Sequence, residues 1–496
     1  MSFFSLQFVL FFLIVFVVYN ALPCSYKQYL LLAASYIFYT LFDLKYVFVL
    51  LGVTVISYIL AINIAKDSKY KTAYLSVGIV CITALLVFFK FWNYFFIAAE
   101  RIFGTHEIMA SGAAVILAPI GISFFSLEAI GYMVDVYKGK VDAEHDFFKY
   151  ALFISFFPKV LSGPIERSTN LLKQIQEGVK FDYDKVKHSF LLILWGCFMK
   201  LLIANRLAVI VDAAFKSYNE QTGFTMLIAV IIYGIQLYVD FAGYSNIAIG
   251  LAGTFGYTLM DNFIQPYFAL NVRDFWRRWH VSLSSWLRDY IFIPLGGSRN
   301  GQFRRYINLL ITFLVSGLWH GTGLHFVVWG LVHGLFQVCS VIIDKLRPRT
   351  LSSRKMDHNG VDFREEYYSF SSRLVKALIT FALVDFAWLF FRADSVGSAF
   401  EILHKIVAEP EVGRTIIDGL WLAGVKVKMG GLLIAELLLL FIVDLCHERN
   451  VKVSDWIDKQ DKWFRWTIYV ALALFIIIGM IRDYGIDAST FIYATF

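Results

Sequence analysis

Apolar positions along this chain come in long runs rather than in alternation. Residues 3 to 23 carry no charge over about twenty positions, the length of helix that crosses a hydrocarbon core. Further apolar runs lie near 28 to 42, 46 to 65, 74 to 98, 113 to 134, 147 to 163, 189 to 213, 225 to 256, 307 to 344, 374 to 392, 431 to 446 and 465 to 482. Several are short or interrupted, so they predict roughly eleven to thirteen transmembrane or re-entrant helices in an all-α polytopic membrane fold. No small-residue cleavage site follows the first run, which reads as a retained span rather than a removed signal.

The run 307 to 344 is too long for one crossing. Its 38 positions would make a helix of roughly 57 Å, nearly twice the hydrocarbon thickness, so it must break and return. The interruption is Ser-Gly-Leu-Trp-His-Gly-Thr-Gly-Leu-His, 316 to 325, where Gly317, Gly321 and Gly323 permit a broken helix. Non-helical backbone at membrane depth is tolerated only when buried in protein or lining a cavity. His320 is therefore a functional candidate, with a structural histidine bonded to a backbone carbonyl as the alternative. His325 and His333 are weaker candidates, because spacings of five and eight place them on other helical faces and no His-Glu-x-x-His accompanies them. No metal is expected.

Composition sharpens this picture. Of 496 residues, 58% are apolar or aromatic and 17% charged, and mean hydropathy is +0.64, too little charge to cover a soluble protein of this length. Five scattered cysteines form no C-x-x-C pair, which points away from a disulfide framework or zinc knuckle. The net charge of +7 is mostly loop placement and marks no nucleic-acid partner. Lys66, Lys69 and Lys71 follow the third run, and arginines crowd 273 to 305 and 345 to 364. Lysine and arginine mark cytoplasmic loops, so both termini are expected outside. The polar segment 345 to 370 is the one candidate for a disordered loop.

Residues 270 to 289 read as one capped amphipathic helix, with Asn271 as N-cap, Asp274 three positions on and Leu270 facing Phe275 as a staple. Trp276, Trp279, His280, Leu283, Trp286 and Leu287 share one face; Arg277, Arg278, Ser284, Ser285 and Arg288 take the other. Such a helix fits the membrane interface and needs no chemistry. His280 is the exception, since an imidazole on the buried stripe must find a partner and can orient a substrate. Gln236, Asp240, Asn246, Asp385 and Asp444 interrupt other runs, and structural pairing between helices is favoured for them over a proton path. Ser-Gly-Pro-Ile-Glu-Arg, 162 to 167, reads as architecture, with Glu166 at the interface. Neither a phosphate-binding Gly-rich loop nor a Gly-x-Ser-x-Gly elbow occurs, so acyl transfer here would use a general base directly rather than an acyl-serine.

Taken together, Pro-Ile-Gly-Ile-Ser-Phe-Phe (119 to 125), Phe-Phe-Pro-Lys-Val-Leu-Ser-Gly-Pro-Ile-Glu-Arg (156 to 167), Asp-Phe-Ala-Gly-Tyr-Ser-Asn (240 to 246), Asn-Phe-Ile-Gln-Pro-Tyr (262 to 267), Phe-Trp-Arg-Arg-Trp-His (275 to 280) and Gly-Leu-Trp-His-Gly (317 to 321) resemble the membrane-bound O-acyltransferases. The likeness is to the bacterial branch that includes the alginate O-acetylation protein and the D-alanyl transfer protein of teichoic acids. It implies one membrane-embedded acyltransferase domain over 1 to 496, built as a helical bundle around a central funnel, with a catalytic core at 262 to 344. It also implies His320 as the catalytic residue, His280 as a second active-site histidine, and Trp276, Trp279 and Trp319 as substrate-binding residues. The resemblance carries a place in the bacterial cytoplasmic membrane and no bound cofactor. It implies an acyl thioester donor, acetyl-CoA or an acyl carrier protein, and an extracytoplasmic acyltransferase partner.

The ending Phe491-Ile-Tyr493-Ala-Thr-Phe496, within an extracytoplasmic tail at 483 to 496, resembles the Phe-x-Tyr-x-x-Phe segment of these systems, whose tyrosine is proposed to relay the acyl group. An apolar tail lying on the membrane is the alternative. Two further function classes compete with acyl transfer: a transporter or flippase that moves an acyl donor or lipid-linked sugar, and a scaffold that recruits an extracellular acyltransferase.

Overall fold

A computed structural model describes residues 3–66, 69–103, 117–346, 352–356, 362–366, 369–410 and 427–482. Apart from a short antiparallel hairpin, β1 (Ser352–Met356) with β2 (Asp362–Glu366), the described regular structure is helical. That hairpin occupies part of the segment expected to be disordered. Among the described residues, eight helices are long and apolar enough to cross a membrane, and Leu6–Ala21 is a shorter apolar one.

The chain divides into two compact units. The first is built from the described residues of Met1–Gly196 together with Tyr244–Met260. Its helices are α1 (Leu6–Ala21), α2 (Cys24–Thr40), α3 (Leu44–Ala65), α4 (Lys71–Phe103), α5 (Ile122–Tyr137), α6 (Phe147–Ser155), α7 (Lys173–Glu177) and most of α8 (Tyr183–Cys197). Side-chain caps start them: Ser5 Oγ accepts from Phe8 N at 3.2 Å, and Asp146 Oδ1 from Phe148 N at 2.9 Å. Phe8, Phe11, Phe38 and Phe157 interlock in stacked, tilted and edge-on pairs at 5.6 to 6.5 Å, geometries that aromatic quadrupoles favour when offset.

Polar groups inside this unit are tied to one another. Lys159 Nζ donates to Glu128, whose other oxygen accepts from Glu166 N at 2.9 Å. Glu166 in turn accepts from Asn170 Nδ2 at 2.8 Å and from Met260 N. The sequence places Glu166 at the interface; here it is 1% exposed, because both carboxylate oxygens are needed to satisfy donors deep in the unit.

The second unit, Cys197–Gly243 with Asp261–Ala488, holds α9 (Asn205–Lys216), much of α10 (Gly223–Thr254), α11 (Val272–Arg278), α12 (Val281–Leu287), α13 (Gln302–His320), α14 (Leu324–Leu346), α15 (Phe370–Arg392), α16 (Val396–Ala408), α17 (Val427–Glu448), α18 (Val453–Asp458) and α19 (Lys462–Arg482). Ahead of α9, residues Phe198–Ala204 are wound as a π-turn carrying buried Lys200, which pairs with Asp240 of α10. Arg206 reaches both oxygens of Glu436 at 2.7 Å, and Tyr238 donates to Asp444 at 2.9 Å. Asp240 and Asp444 thus have partners on neighbouring elements, as a buried charge requires.

The long apolar run breaks where expected. Helix α13 ends at His320, Gly321 is extended, and α14 begins at Leu324. Gly317 plays a different part from the one its place in the motif suggests. It lies inside α13, and a Cβ there would come within 2.4 Å of Phe326 O; a Cβ on Gly330 of α14 would meet Phe313 O at 2.4 Å. The two glycines face each other across a backbone-to-backbone crossing, the close approach small residues allow between membrane helices.

Overpacking that crossing should cost about 1–3 kcal/mol per methyl. Gly317→Ala and Gly330→Ala should each lower the melting temperature in detergent. Gly52→Ala in α3, where a Cβ meets nothing within 4 Å, should raise it slightly through helix propensity.

Candidate active site

The glycine crossing brings the C-terminal end of α13 against α14, and His320 is consequently 3% exposed. Its imidazole stands edge-on to Trp329 of α14 at 5.0 Å and 89°, to Phe391 of α15 at 5.3 Å, and beside Trp319 at 4.8 Å. Trp329 and His333, one turn apart on α14, both look into this box, and Trp388 stacks on Trp329 at 5.7 Å and 19°. Aromatic walls exclude water while leaving a titratable ring among them.

His280 is brought into the same unit by a different device. The expected single helix over 270 to 289 is two helices, α11 and α12, broken at Trp279 and His280. Asn271 does cap the first, accepting from Asp274 N at 2.9 Å, while Asp274 accepts from Leu270 N at 3.2 Å. The break arises because the chain pairs with residues 262 to 264: Ile264 N donates to Arg278 O at 2.9 Å and Val281 N to Asn262 O at 3.0 Å. His280 takes φ 42°, a left-handed conformation that costs a non-glycine residue energy and is held only by surrounding contacts.

Most of this segment's apolar side chains are buried, while its arginines stay partly exposed. Trp276, Trp279, His280, Leu283, Trp286 and Leu287 are buried, as the stripe predicts, but Ser285 on the supposed polar face is buried too. Arg278 bonds Glu448 and Asp274, and Arg273 bonds Asp344. The reading as a single helix is corrected accordingly: the backbone break divides the segment at Trp279 and His280.

Asn262 fixes the tautomer of His280. Its Oδ1 accepts from Ser282 Oγ at 2.7 Å and Ser282 N at 3.3 Å, and lies 3.3 Å from His280 Nδ1. An oxygen already accepting two bonds can only accept a third, so His280 Nδ1 carries the proton and Nε2 the lone pair. Phe241 closes on this ring edge-on at 4.6 Å, and Trp319 stands 6.1 Å from it. Trp319 thus touches both histidines. Burial holds the His280 imidazole below its ordinary 6.5, to about 3.

Other residues fall differently. Trp276 Nε1 donates to His333 Nδ1 at 3.2 Å. Trp279 packs between Phe275, Phe263 and Trp388. His325 lies 3.1 Å from Phe390 O through Nδ1, the structural role considered for His320. Tyr493 and the tail 483 to 496 lie outside the described residues. Sequence reasoning missed Asn262, Trp329 and Trp388. Asn262 sits in the quoted 262-to-267 motif, but its role depends on a pairing 18 residues away. Trp329 and His333 are four positions apart, a helical-face signal that was available.

The folded His280 resists protonation while the unfolded ring titrates near 6.5. Its stability contribution is therefore fully present above that pH and is lost as pH falls toward about 3, at about 1.4 kcal/mol for each pH unit crossed. His280→Asn keeps a donor near Nδ1 and tolerates the left-handed backbone. It should flatten the melting temperature against pH across that window relative to the unsubstituted protein.

Comparison with known proteins agrees with this geometry. The model of the membrane-bound O-acyltransferase family, MBOAT, matches residues 140–364, a stretch containing both histidines. The chain is 34% identical to the protein named "Probable alginate O-acetylase AlgI" of Pseudomonas aeruginosa over 425 residues, covering 84% of this chain and 76% of the relative. It is 32% identical to the peptidoglycan O-acetyltransferase of Helicobacter pylori, covering 78% and 74%. With the teichoic acid D-alanyltransferase of Bacillus subtilis it shares 28% identity, over 46% of this chain and 60% of that one. This multi-pass helical membrane protein is an O-acyltransferase and belongs to the membrane-bound O-acyltransferase family.

Proposed function

We propose that this enzyme takes an acyl group, acetyl in the first instance, from a thioester on the cytoplasmic side and passes it to a hydroxyl for O-acylation of an extracytoplasmic polysaccharide. The donor would be acetyl-CoA or an acylated carrier protein, and an extracytoplasmic acyltransferase would complete the transfer to the polymer. The carrying observation is the buried His320 imidazole at the end of a broken helix, walled by Trp319, Trp329 and Phe391.

The chemistry needs one base and one dry site. The hydroxyl oxygen attacks the thioester carbonyl carbon as His320 takes the hydroxyl proton; the C=O π pair moves onto oxygen. The tetrahedral adduct then collapses, the C–S bond breaks, and the departing sulfur receives the proton from His320. Ester and thiol are the products, with no oxidant or metal required. His280, whose Nε2 lone pair Asn262 leaves facing away, accepts a hydrogen bond from the incoming hydroxyl and orients it. Trp319, in contact with both imidazoles, forms the wall against which the acyl group rests.

The acceptor hydroxyl we favour is the phenol of Tyr493. A phenol with an ordinary pKa near 10 leaves an ester more readily than an aliphatic alcohol, which suits a group that must be handed on. Peptide mass spectrometry on protein from its own host should find an ester adduct on Tyr493, absent in His320→Ala, and its mass would identify the acyl group. A polymer that stays acylated after Tyr493→Phe would remove the relay and leave direct transfer.

His320→Gln should lower polymer O-acylation by about 10²–10⁴-fold at every pH while leaving the protein in the membrane. A transporter would keep moving its substrate at some pH, and a scaffold would leave polymer acylation unchanged. Either result would overturn the assignment.

A further inference from the structure

Three N–H donors in the aromatic box have no acceptor among the described residues, and two of them stand on α14. Trp329 and His333 are each 0% exposed, and neither Trp329 Nε1 nor His333 Nε2 has a hydrogen-bond partner there. The state of His333 follows from its neighbour. Trp276 Nε1 can only donate, and it points at His333 Nδ1 from 3.2 Å. A nitrogen that accepts this bond holds a lone pair, so the ring is neutral and its proton sits on Nε2. His333 is thus a donor at Nε2, as Trp329 is at Nε1.

Trp329 meets His320 directly, and His333, one turn further along α14, packs against Trp329. Trp329 lies 5.0 Å from the His320 ring and 5.1 Å from the His333 ring, nearly perpendicular to the first. Trp388 Nε1 also lacks an acceptor, but that indole turns its pyrrole edge elsewhere, with Cδ1 3.6 Å from where a Cβ of Gly234 would stand. Burying a donor without an acceptor costs stability. Two such donors one turn apart on α14, the first against the His320 ring, fit a ligand that brings an acceptor oxygen, and one whose charge grows during reaction gains most.

We propose that Trp329 Nε1–H and His333 Nε2–H hold the carbonyl oxygen of the acyl thioester and stabilise it as it becomes an oxyanion, with Trp276 as the positioning residue that fixes the donor tautomer of His333. This rests on the acyl-transfer reading above. When the hydroxyl oxygen bonds to the carbonyl carbon, the π electron pair passes to this oxygen, where the two N–H groups receive it. When the C–S bond breaks, the pair returns and the hydrogen bonds relax to those of a neutral ester carbonyl. His320 handles the proton throughout and the donors lose none.

The test uses the full-length protein in its own host, so that the native donor and acceptor are present, and reads the rate of polymer O-acylation at equal membrane abundance. Trp329→Phe keeps the ring and removes the N–H. His333→Asn keeps an acceptor for Trp276 near Nδ1 and removes the Nε2 donor, whereas His333→Gln places an amide N–H near Nε2. Trp329→Phe and His333→Asn should each slow acylation by about 10- to 10³-fold, and His333→Gln should recover at least tenfold over His333→Asn. Trp276→Phe, which frees the tautomer, should slow acylation without altering the melting temperature as a core deletion would.

Rates within twofold of wild type for Trp329→Phe and His333→Asn, with His320→Gln inactive, would overturn the donor assignment and leave His320 standing. Equal losses in His333→Asn and His333→Gln, in step with lowered melting temperature, would overturn it in favour of a packing role. An active His320→Gln would remove the underlying reading and this inference with it.

Discussion

The geometry of the site depends on one close contact, the crossing of Gly317 on α13 with Gly330 on α14. Each glycine stands where a methyl would press on the opposite backbone, 2.4 Å from a carbonyl oxygen. In a lipid solvent apolar side chains gain little by meeting one another, so helices hold together by backbone proximity and dense van der Waals contact. That proximity fixes where α13 ends and therefore where His320 is held. It also sets Trp329, one position before Gly330, against the imidazole. A looser crossing would open the aromatic walls around that imidazole to water.

Around that contact the protein uses aromatic rings to bury polar atoms while limiting what they can bond. His280 has its tautomer set by Asn262, and His333 by Trp276. The two end with opposite faces: a lone pair on Nε2 of His280, an N–H on Nε2 of His333. A hydrogen-bond acceptor and a hydrogen-bond donor of the same residue type are thereby kept distinct by their neighbours alone, without added charge. Two buried ion pairs of this unit, Lys200 with Asp240 and Arg206 with Glu436, lie outside the aromatic box, each partner offsetting the cost of burying the other's charge.

Much of this was legible in the sequence because the bilayer imposes strong rules. The length of the 307-to-344 run against the hydrocarbon thickness forced a break, and the break is at Gly321. The Trp276, Trp279, His280 and Leu283 stripe was correctly read as buried. What was not legible came from long-range pairing. Nothing local to Trp279 and His280 announces that residues 262 to 264 will pair there and split the helix; helical periodicity persisted through the break and concealed it. Gly317 looked like a hinge because local sequence shows only conformational permissiveness, and its use as a contact depends on a glycine thirteen positions later. His333 looked secondary because its value lies in the Trp276 bond, which no spacing encodes. Glu166 looked interfacial because its hydrogen-bond donors are dispersed in the chain.

The central claim is that the thioester carbonyl is presented to His320 within the aromatic box of α13, α14 and α15. The most direct measurement is a cryo-electron microscopy structure of the protein bound to a non-hydrolysable ketone analogue of acetyl-CoA, in which a methylene replaces the sulfur. The account predicts the carbonyl carbon within reach of the His320 imidazole, its oxygen turned toward Trp329 and His333. An analogue held away from His320, with the aromatic box still closed around that ring, would contradict it.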